Sequence, residues 1–389
     1  MLGGGGYTPQ VEETITRLGG RLSYEEASEE LSKMWGVKVP AETVRNITLR
    51  NGGHAHEIVE AEVERIEKEV PRAREQPEQL LMSTDGALVQ LTSGEWREVK
   101  MVAFGEFDTH YNRKKQKVET KTQAISYFAR VETAEAFGRS ALYEWQRRGG
   151  ENAKKVVSVN DGALWIQSFI DYHCPKATRI LDMAHAQGYL AKIGKAIYGV
   201  ETPLFQQWYR RIKKQLQTKP PQRTIAELRL LCQQHAEHPE ITEIEQAFRY
   251  LEKREAMMDY VHFQKHHLPI GSGMVESGHK VVMQKRMKQA GMRWAETSLN
   301  PMLALRTALC NKTWDVSWAA IAAQARQSKR QRRLSKLKKD SKPVPTRIVT
   351  ETDCHQLTKL ACQLEARSKK RPWQHHKWIF PHRAHLHQI

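Results

Sequence analysis

The rhythm of apolar and polar positions changes along the chain. In "LSYEEASEELSKMWGVKVPAETVRNITLRNGG" apolar residues recur at helical spacing. Ser23 with Glu26 three residues on is a capping-box signature, and Leu31, Met34 and Trp35 continue the apolar face. "GVKVP" makes a turn. Pro40 then sits near the start of a second helix, with Val44 and Ile47 inside, Thr43, Arg45, Asn46 and Arg50 outside, and Gly52-Gly53 as its stop. Two short helices around a tight turn form a helix-turn-helix pattern, so Arg45, Asn46 and Arg50 are candidate DNA contacts. Residues 55–76 read as an exposed charged helix.

Near residue 79 the character changes. "QLLMSTDGALVQL", "EWREVKMVAFGEFD" and "QAISYFARVET" read as three strands in succession. A helix ending at Gly149-Gly150 follows. "KKVVSVNDGALWIQSFIDYHCP" and "ATRILDMAHAQGYLAKIGKAIYG" each give a strand and then a helix. The order is β-β-β-α-β-α-β-α, an α/β layered domain. Between about Glu201 and His262 nothing alternates at period two, which predicts an all-helical insertion. Leu268-Pro269 ends it, "GSGMVES" returns the chain to the main domain, and a helix is expected to run on through "KVVMQKRMKQAGMRW". Beyond residue 325, "RQSKRQRRLSKLKKDSKPVPTR" is basic, low in complexity and expected to be disordered alone.

Composition adds a partner. The 389 residues carry a formal net charge of +18, which makes a polyanion the default partner. Mean hydropathy is −0.65, and no apolar run approaches the roughly 20 residues a spanning helix needs. "MLGGGGYTPQ" lacks the blocks of a signal peptide, so a cytoplasmic location is expected, with no membrane partner. Five scattered cysteines without a CxxC pair argue against a disulfide framework and a zinc ribbon. The histidine-rich "PHRAHLHQI" reads as a surface tail.

Two Asp-Gly-Ala triplets, at Asp85 and Asp161, each follow an apolar, strand-like run. In an α/β sheet, strand ends are where ligands and catalytic groups collect. Taken alone, each is an ordinary Asp-Gly turn, and Glu276 in "GSGMVESGHK" is an ordinary first-turn acid complementing a helix dipole. Together they suggest more. Three carboxylates at one site repel each other unless a cation sits among them. Hard Mg²⁺ (or Mn²⁺) prefers such oxygens, and a pair of ions about 3.5–4 Å apart serves phosphodiester chemistry. Lys280, Lys285, Arg286, Lys288 and Arg293 then follow as candidate phosphate contacts.

At this point the chain resembles bacterial insertion-sequence transposases of the DDE class, in particular the ISKra-type group related to Mutator-like transposases. The matching stretches are "STDGALVQL", "VSVNDGALWI", "RILDMAHAQGYL", "PIGSGMVESGHKVVMQKRMKQAGMRW" and "NPMLALR", spread over most of residues 7–315. The resemblance implies a ribonuclease-H-like catalytic domain interrupted by a helical insertion. It also implies Asp85, Asp161 and Glu276 as the metal-binding triad; a rival assignment makes Asp182 the second member and leaves Asp161 as a turn. Asp182 and His185 look like the Asp-x-x-His signature of Mutator-like enzymes, supporting the site or positioning DNA. Asp161 is favoured over Asp182 because it repeats the context of Asp85. Members of the group often carry an N-terminal segment with zinc-ribbon-like cysteines, which "MLGGGGYTP" does not supply, so a shortened version is expected.

The expected division is a helix-turn-helix region (1–54), a helical linker (55–78), the core's first part (79–200), the helical insertion (201–262), the core's second part (263–320) and a basic tail (321–389). The expected function is metal-dependent cleavage of double-stranded DNA at element ends and strand transfer into target DNA, by a homodimer or larger assembly. The rivals are a ribonuclease-H-like nuclease without strand transfer and an inactive DNA-binding relic.

Overall fold

The computed structural model describes residues 7–114, 116–340 and 359. The chain divides into two compact units, Met1–Ser328 and Lys329–Ile389. The first holds a mixed α/β fold. Three helices lead in: α1 (Pro9–Gly19), α2 (Tyr24–Trp35) and α3 (Ala41–Glu69). The expected capping box opens α2, with Ser23 and Glu26 each bonded to the other's backbone N–H. Gly52-Gly53 does not stop the next helix. A side chain at Gly52 would put its Cβ 2.5 Å from the Pro301 carbonyl oxygen. The glycine therefore lets two helices approach, and α3 continues to Glu69 across the expected boundary at residue 54.

The sheet has five strands: β1 (Gln79–Gln90), β2 (Trp96–Asn112), β3 (Lys117–Arg130), β4 (Lys155–Asn160) and β5 (Thr178–Leu181). Their spatial order is β3-β2-β1-β4-β5. The first three form an antiparallel meander, while β1–β4 and β4–β5 pair in parallel. Helices α4 (Ala134–Ser140) and α5 (Leu142–Arg147) precede β4, α6 (Leu164–His173) joins β4 to β5, and α7 (Met183–Tyr198) follows β5. This is the order expected from the pattern of strands and helices.

Strand alternation gives the sheet two apolar faces. Leu80, Met82, Val102 and Phe104 point to Phe137, Trp145, Ile166 and Phe169 of α4–α6. Leu81, Met101, Ala103 and Val157 point the other way, toward α7 and the helices beyond it. Those are α8 (Pro203–Thr218), α9 (Pro221–Gln234), α10 (Ile241–Glu252) and α11 (Tyr260–Lys265), the expected helical insertion.

After the insertion comes α12 (Gly273–Gly278), continued by a π-helical stretch over His279–Gln284 and a last turn, α13 (Lys285–Met287). The helix expected through Trp294 thus ends near Lys288. Trp294 is instead bonded to the end of β1, its N–H to the Gln90 carbonyl and its own carbonyl to the Thr92 N–H. Helix α14 (Glu296–Cys310) packs on α3 and β3, and α15 (Trp314–Asp340) follows. The basic block expected to be disordered is helical up to Asp340; the rest of it lies outside the described residues, as does the histidine-rich C-terminus. Among the described residues no helix is long and apolar enough to cross a membrane.

Candidate functional site

Strand register builds the site. Leu81 pairs with Val157 and Met82 with Ser158 across β1–β4. The Thr84 N–H donates to Asn160 Oδ1 (2.5 Å). Carried forward, the same register sets Asp85 level with Asp161. On the other side Val159 pairs with Ile180 and Asn160 with Leu181, which sets Asp161 level with Asp182. Three aspartates thus stand in a row across β1, β4 and β5. One expectation is corrected here: Asp85 is not at a strand end. The strand runs through Asp85-Gly86 to Gln90 because β2 remains its partner. Only the parallel pairing with β4 stops short of it.

The three aspartates are held differently. Asp182 is 3% exposed, and backbone N–H groups occupy both carboxylate oxygens. Oδ1 accepts from His185 (2.8 Å), capping α7, and Oδ2 accepts from Ser272 (2.6 Å). Asp182 therefore fastens the segment that leads into α12. His185 is exposed and meets Asp182 through that backbone N–H. Asp161 is half-buried; its Oδ1 accepts from the Ala163 N–H (2.9 Å). Asp85 Oδ1 accepts from the Gly86 N–H (2.8 Å).

Gly162, beside Asp161, has φ +81°, a conformation that favours glycine. Its carbonyl accepts two bonds from Arg254, from Nε (2.9 Å) and Nη2 (2.6 Å). The Arg254 guanidinium lies 3.7 Å from the Tyr250 ring centre, Tyr250 stacks on Tyr189 at 3.8 Å, and Lys192 Nζ lies 4.8 Å from Tyr189. This stack joins the insertion to α7 and fixes the turn carrying Asp161. Burial pushes the Tyr250 hydroxyl pKa up, keeping it protonated. Nearby, the buried Tyr260 hydroxyl donates to the Leu181 carbonyl (2.9 Å), so the insertion is tied to the end of β5 as well.

Helix α12 crosses the β1–β2 face of the sheet. Glu276 is exposed, with no side-chain partner among the described residues. One turn on, His279 is buried, and its Nε2 lies 3.3 Å from Asp85 Oδ2. Among the described residues no group of three His, Cys, Asp or Glu side chains is arranged to hold a metal ion. In kind, the donors suit a hard divalent cation: hard carboxylate oxygens, of which both at Glu276 and Oδ2 at Asp161 accept no hydrogen bond among the described residues.

The expected phosphate contacts divide into two groups. Lys280, Lys285, Lys288 and Arg293 are exposed. Arg286 is not: it is 1% exposed, sandwiched between Tyr24 and Trp294, and its Nε donates to the Gly19 carbonyl (2.9 Å). Its charge is spent on the C-terminal end of α1, which corrects its assignment to DNA. Arg306 does similar work, donating to the Gly20, Val281 and Val282 carbonyls. Two of these carbonyls lie in the π-helical stretch, so the Arg306 side chain ties that stretch to α14. Of the α3 candidates, Asn46 is exposed, Arg45 pairs with Glu42 and Arg50 with Glu12. Arg45 and Arg293 line one cleft of about 290 Å³ with Tyr24 and Glu25.

His279 and Arg254 were not singled out from sequence. The Glu276-x-x-His279 spacing, one helical turn, was a usable signal for the first. No local pattern marks Arg254.

These features define a mixed α/β protein with carboxylates gathered where parallel strands end. The chain belongs to the uncharacterised protein family (UPF0236), whose model matches residues 8–320. Comparison with curated proteins gave no match.

Proposed function

We propose that this protein is a DDE-type transposase with a ribonuclease-H-like catalytic domain. The observation that carries the proposal is the placement of Asp85 and Asp161 at one level on adjacent parallel strands, with the helix bearing Glu276 across the face of β1 and β2. A meander followed by two parallel strands, in the order β3-β2-β1-β4-β5, supports the ribonuclease-H-like assignment. The commitment of both Asp182 oxygens to backbone N–H groups favours Asp161 as the second acid.

Asp85, Asp161 and Glu276 would hold Mg²⁺ or Mn²⁺, which when bound supplies charge stabilisation at the phosphorus and a more acidic water. The chain's own part is positioning. Arg254 fixes the Asp161 turn through Gly162, His279 abuts Asp85, and Asp182 fastens the lead into α12. Water attacks a phosphodiester at the element end, and the bond from phosphorus to the 3′ oxygen breaks, leaving a 3′-hydroxyl. That hydroxyl attacks a target phosphodiester and displaces a second 3′ oxygen. Lys280, Lys285, Lys288 and Arg293 neutralise phosphates beside the cut. The α2–α3 hairpin would act as the helix-turn-helix, with Arg45, Asn46 and Arg50 toward DNA. The exposed Arg45–Glu42 pair is worth only ~0–1 kcal/mol and exchanges readily for phosphate. Two element ends must meet, so a dimer or larger assembly on DNA belongs to the proposal.

The test supplies a pre-cut element end bearing a 3′-hydroxyl, a target plasmid and Mn²⁺. Joined products are expected. Nicking without joining would replace the transposase by a ribonuclease-H-like nuclease. Binding with neither reaction would leave a DNA-binding relic.

A further inference from the structure

The long hairpin of β2 and β3 outgrows the sheet. Strand β1 accompanies β2 only as far as Glu106, yet β2 and β3 stay paired to Asn112 and Lys117. Phe107 is the last buried side chain on the outgoing strand; Asp108, Thr109, His110 and Tyr111 are all exposed. The two-stranded part beyond Phe107 therefore buries little and has no structural need to be so long. Five residues at the usual strand rise reach ~17 Å past the core.

The ribbon leaves the sheet at a defined point. The pairing register shifts between Phe104 and Glu106, and Ala124, opposite this shift, has φ +49°. A residue with a Cβ is uncommon in that region, and a bulge bends and twists the ribbon that carries it. The root is anchored. Gly105 sits against Thr122 and against Met274 of α12, and Thr120 Oγ1 donates to the His267 carbonyl (2.8 Å). The arm thus rises beside the helix that bears Glu276.

Its chemistry is basic. The sequence of the tip is "YNRKKQKVETK". Arg113, Lys114 and Lys121 are exposed and have no ion-pair partner among the described residues. Tyr111 is 59% exposed. The acids on the arm are Asp108, exposed, and Glu119, which accepts from Asn112 Nδ2 (2.7 Å). Unpaired cations on a projecting strand pair, mixed with threonines and an exposed tyrosine, suit a phosphate backbone. A two-stranded ribbon also fits the ~12 Å width of a DNA major groove.

We propose that the β2–β3 ribbon is a second duplex-DNA contact, gripping the DNA held at the carboxylate site. This rests on the assignment of the protein as a DNA-cutting enzyme and adds an arm to it. The ribbon meets DNA through Arg113, Lys114 and Lys121, with Tyr111 at the contact.

The full-length chain is titrated with a labelled random-sequence duplex over a range of salt concentrations, as wild type and as R113A/K114A/K121A. Each lost phosphate contact lowers the slope of log K against log salt by ~0.9. The variant is expected to lose about 2–3 from the slope and about tenfold or more in affinity near physiological salt, with its melting temperature unchanged. In an otherwise wild-type chain, a photo-crosslinking residue replacing Tyr111 is expected to capture the duplex, a readout independent of the triple variant's folding. Equal slopes and no crosslink, from a wild type that binds and nicks DNA, would overturn the ribbon and leave the carboxylate site standing. A wild type that binds no duplex at low salt would remove both.

Discussion

Asp161 and Asp182 sit level on neighbouring strands, one residue type in two trades. Asp161→Asn keeps the acceptor used by the Ala163 N–H and removes the charge. Cleavage should fall by more than the roughly 10–100-fold that outer-shell partners are worth, with thermal stability unchanged. Asp182→Asn turns an amide N–H₂ toward the N–H of Ser272 or of His185. That places donor against donor in a buried position, and urea unfolding should show a loss of ~1–3 kcal/mol. Stability lost at Asp161 and kept at Asp182 would reverse these roles. The repeated Asp-Gly-Ala context favoured Asp161 over Asp182 from sequence, but what holds Asp182 was not legible, because the Ser272 N–H that occupies it arrives from far along the chain. The place of Glu276 in the first turn of a helix was legible from its Gly-Ser-Gly approach. Arg286 was misjudged because a run of basic residues does not say which one faces inward.

Among the elements, strands and helices of the core were legible in order and type, since alternation at period two and at helical spacing are local signals. Interruptions were less so. The pair Gly52-Gly53 was expected as a stop, whereas α3 passes through it to meet Pro301. Gly52→Ala should therefore destabilise the protein by ~1–3 kcal/mol through overpacking, read by urea unfolding. The same change at Gly53, which faces open space, should be neutral or stabilising. Equal effects at both positions would contradict the close approach. The π-helical stretch after α12 was not legible at all. Its Val281 and Val282 carbonyls accept from Arg306, a partner on another helix that no periodicity reveals.

For the molecule as a whole, positive charge and a two-faced sheet were legible in composition and alternation, while strand order and register were not, since both rest on contacts distant in sequence. Burial also sets a pH response. His173 is enclosed by Trp145, Phe169 and Tyr172, and desolvation holds its pKa down at about 4 against an ordinary 6.5. The folded protein keeps it neutral, while the unfolded chain takes up a proton below 6.5. Its contribution is therefore fully present above pH 6.5 and is lost as pH falls toward 4, by ~3 kcal/mol in all. His56 is shifted down as well, chiefly by burial, and acts in the same sense. His173→Phe should flatten the fall in stability between pH 6.5 and 4, as measured by urea unfolding across that range. An unchanged pH slope would mean that the ring is hydrated.

The central claim is that Asp85, Asp161 and Glu276 form one metal-dependent DNA-cutting site. It is tested most directly on a supercoiled plasmid carrying candidate element ends, with Mg²⁺ or Mn²⁺, comparing wild type with Glu276→Gln. The substitution keeps the size of an exposed side chain and removes its charge. Nicking by wild type alone is the expected result. Equal nicking by both would return Glu276 to the part of a first-turn acid on α12 and contradict the account.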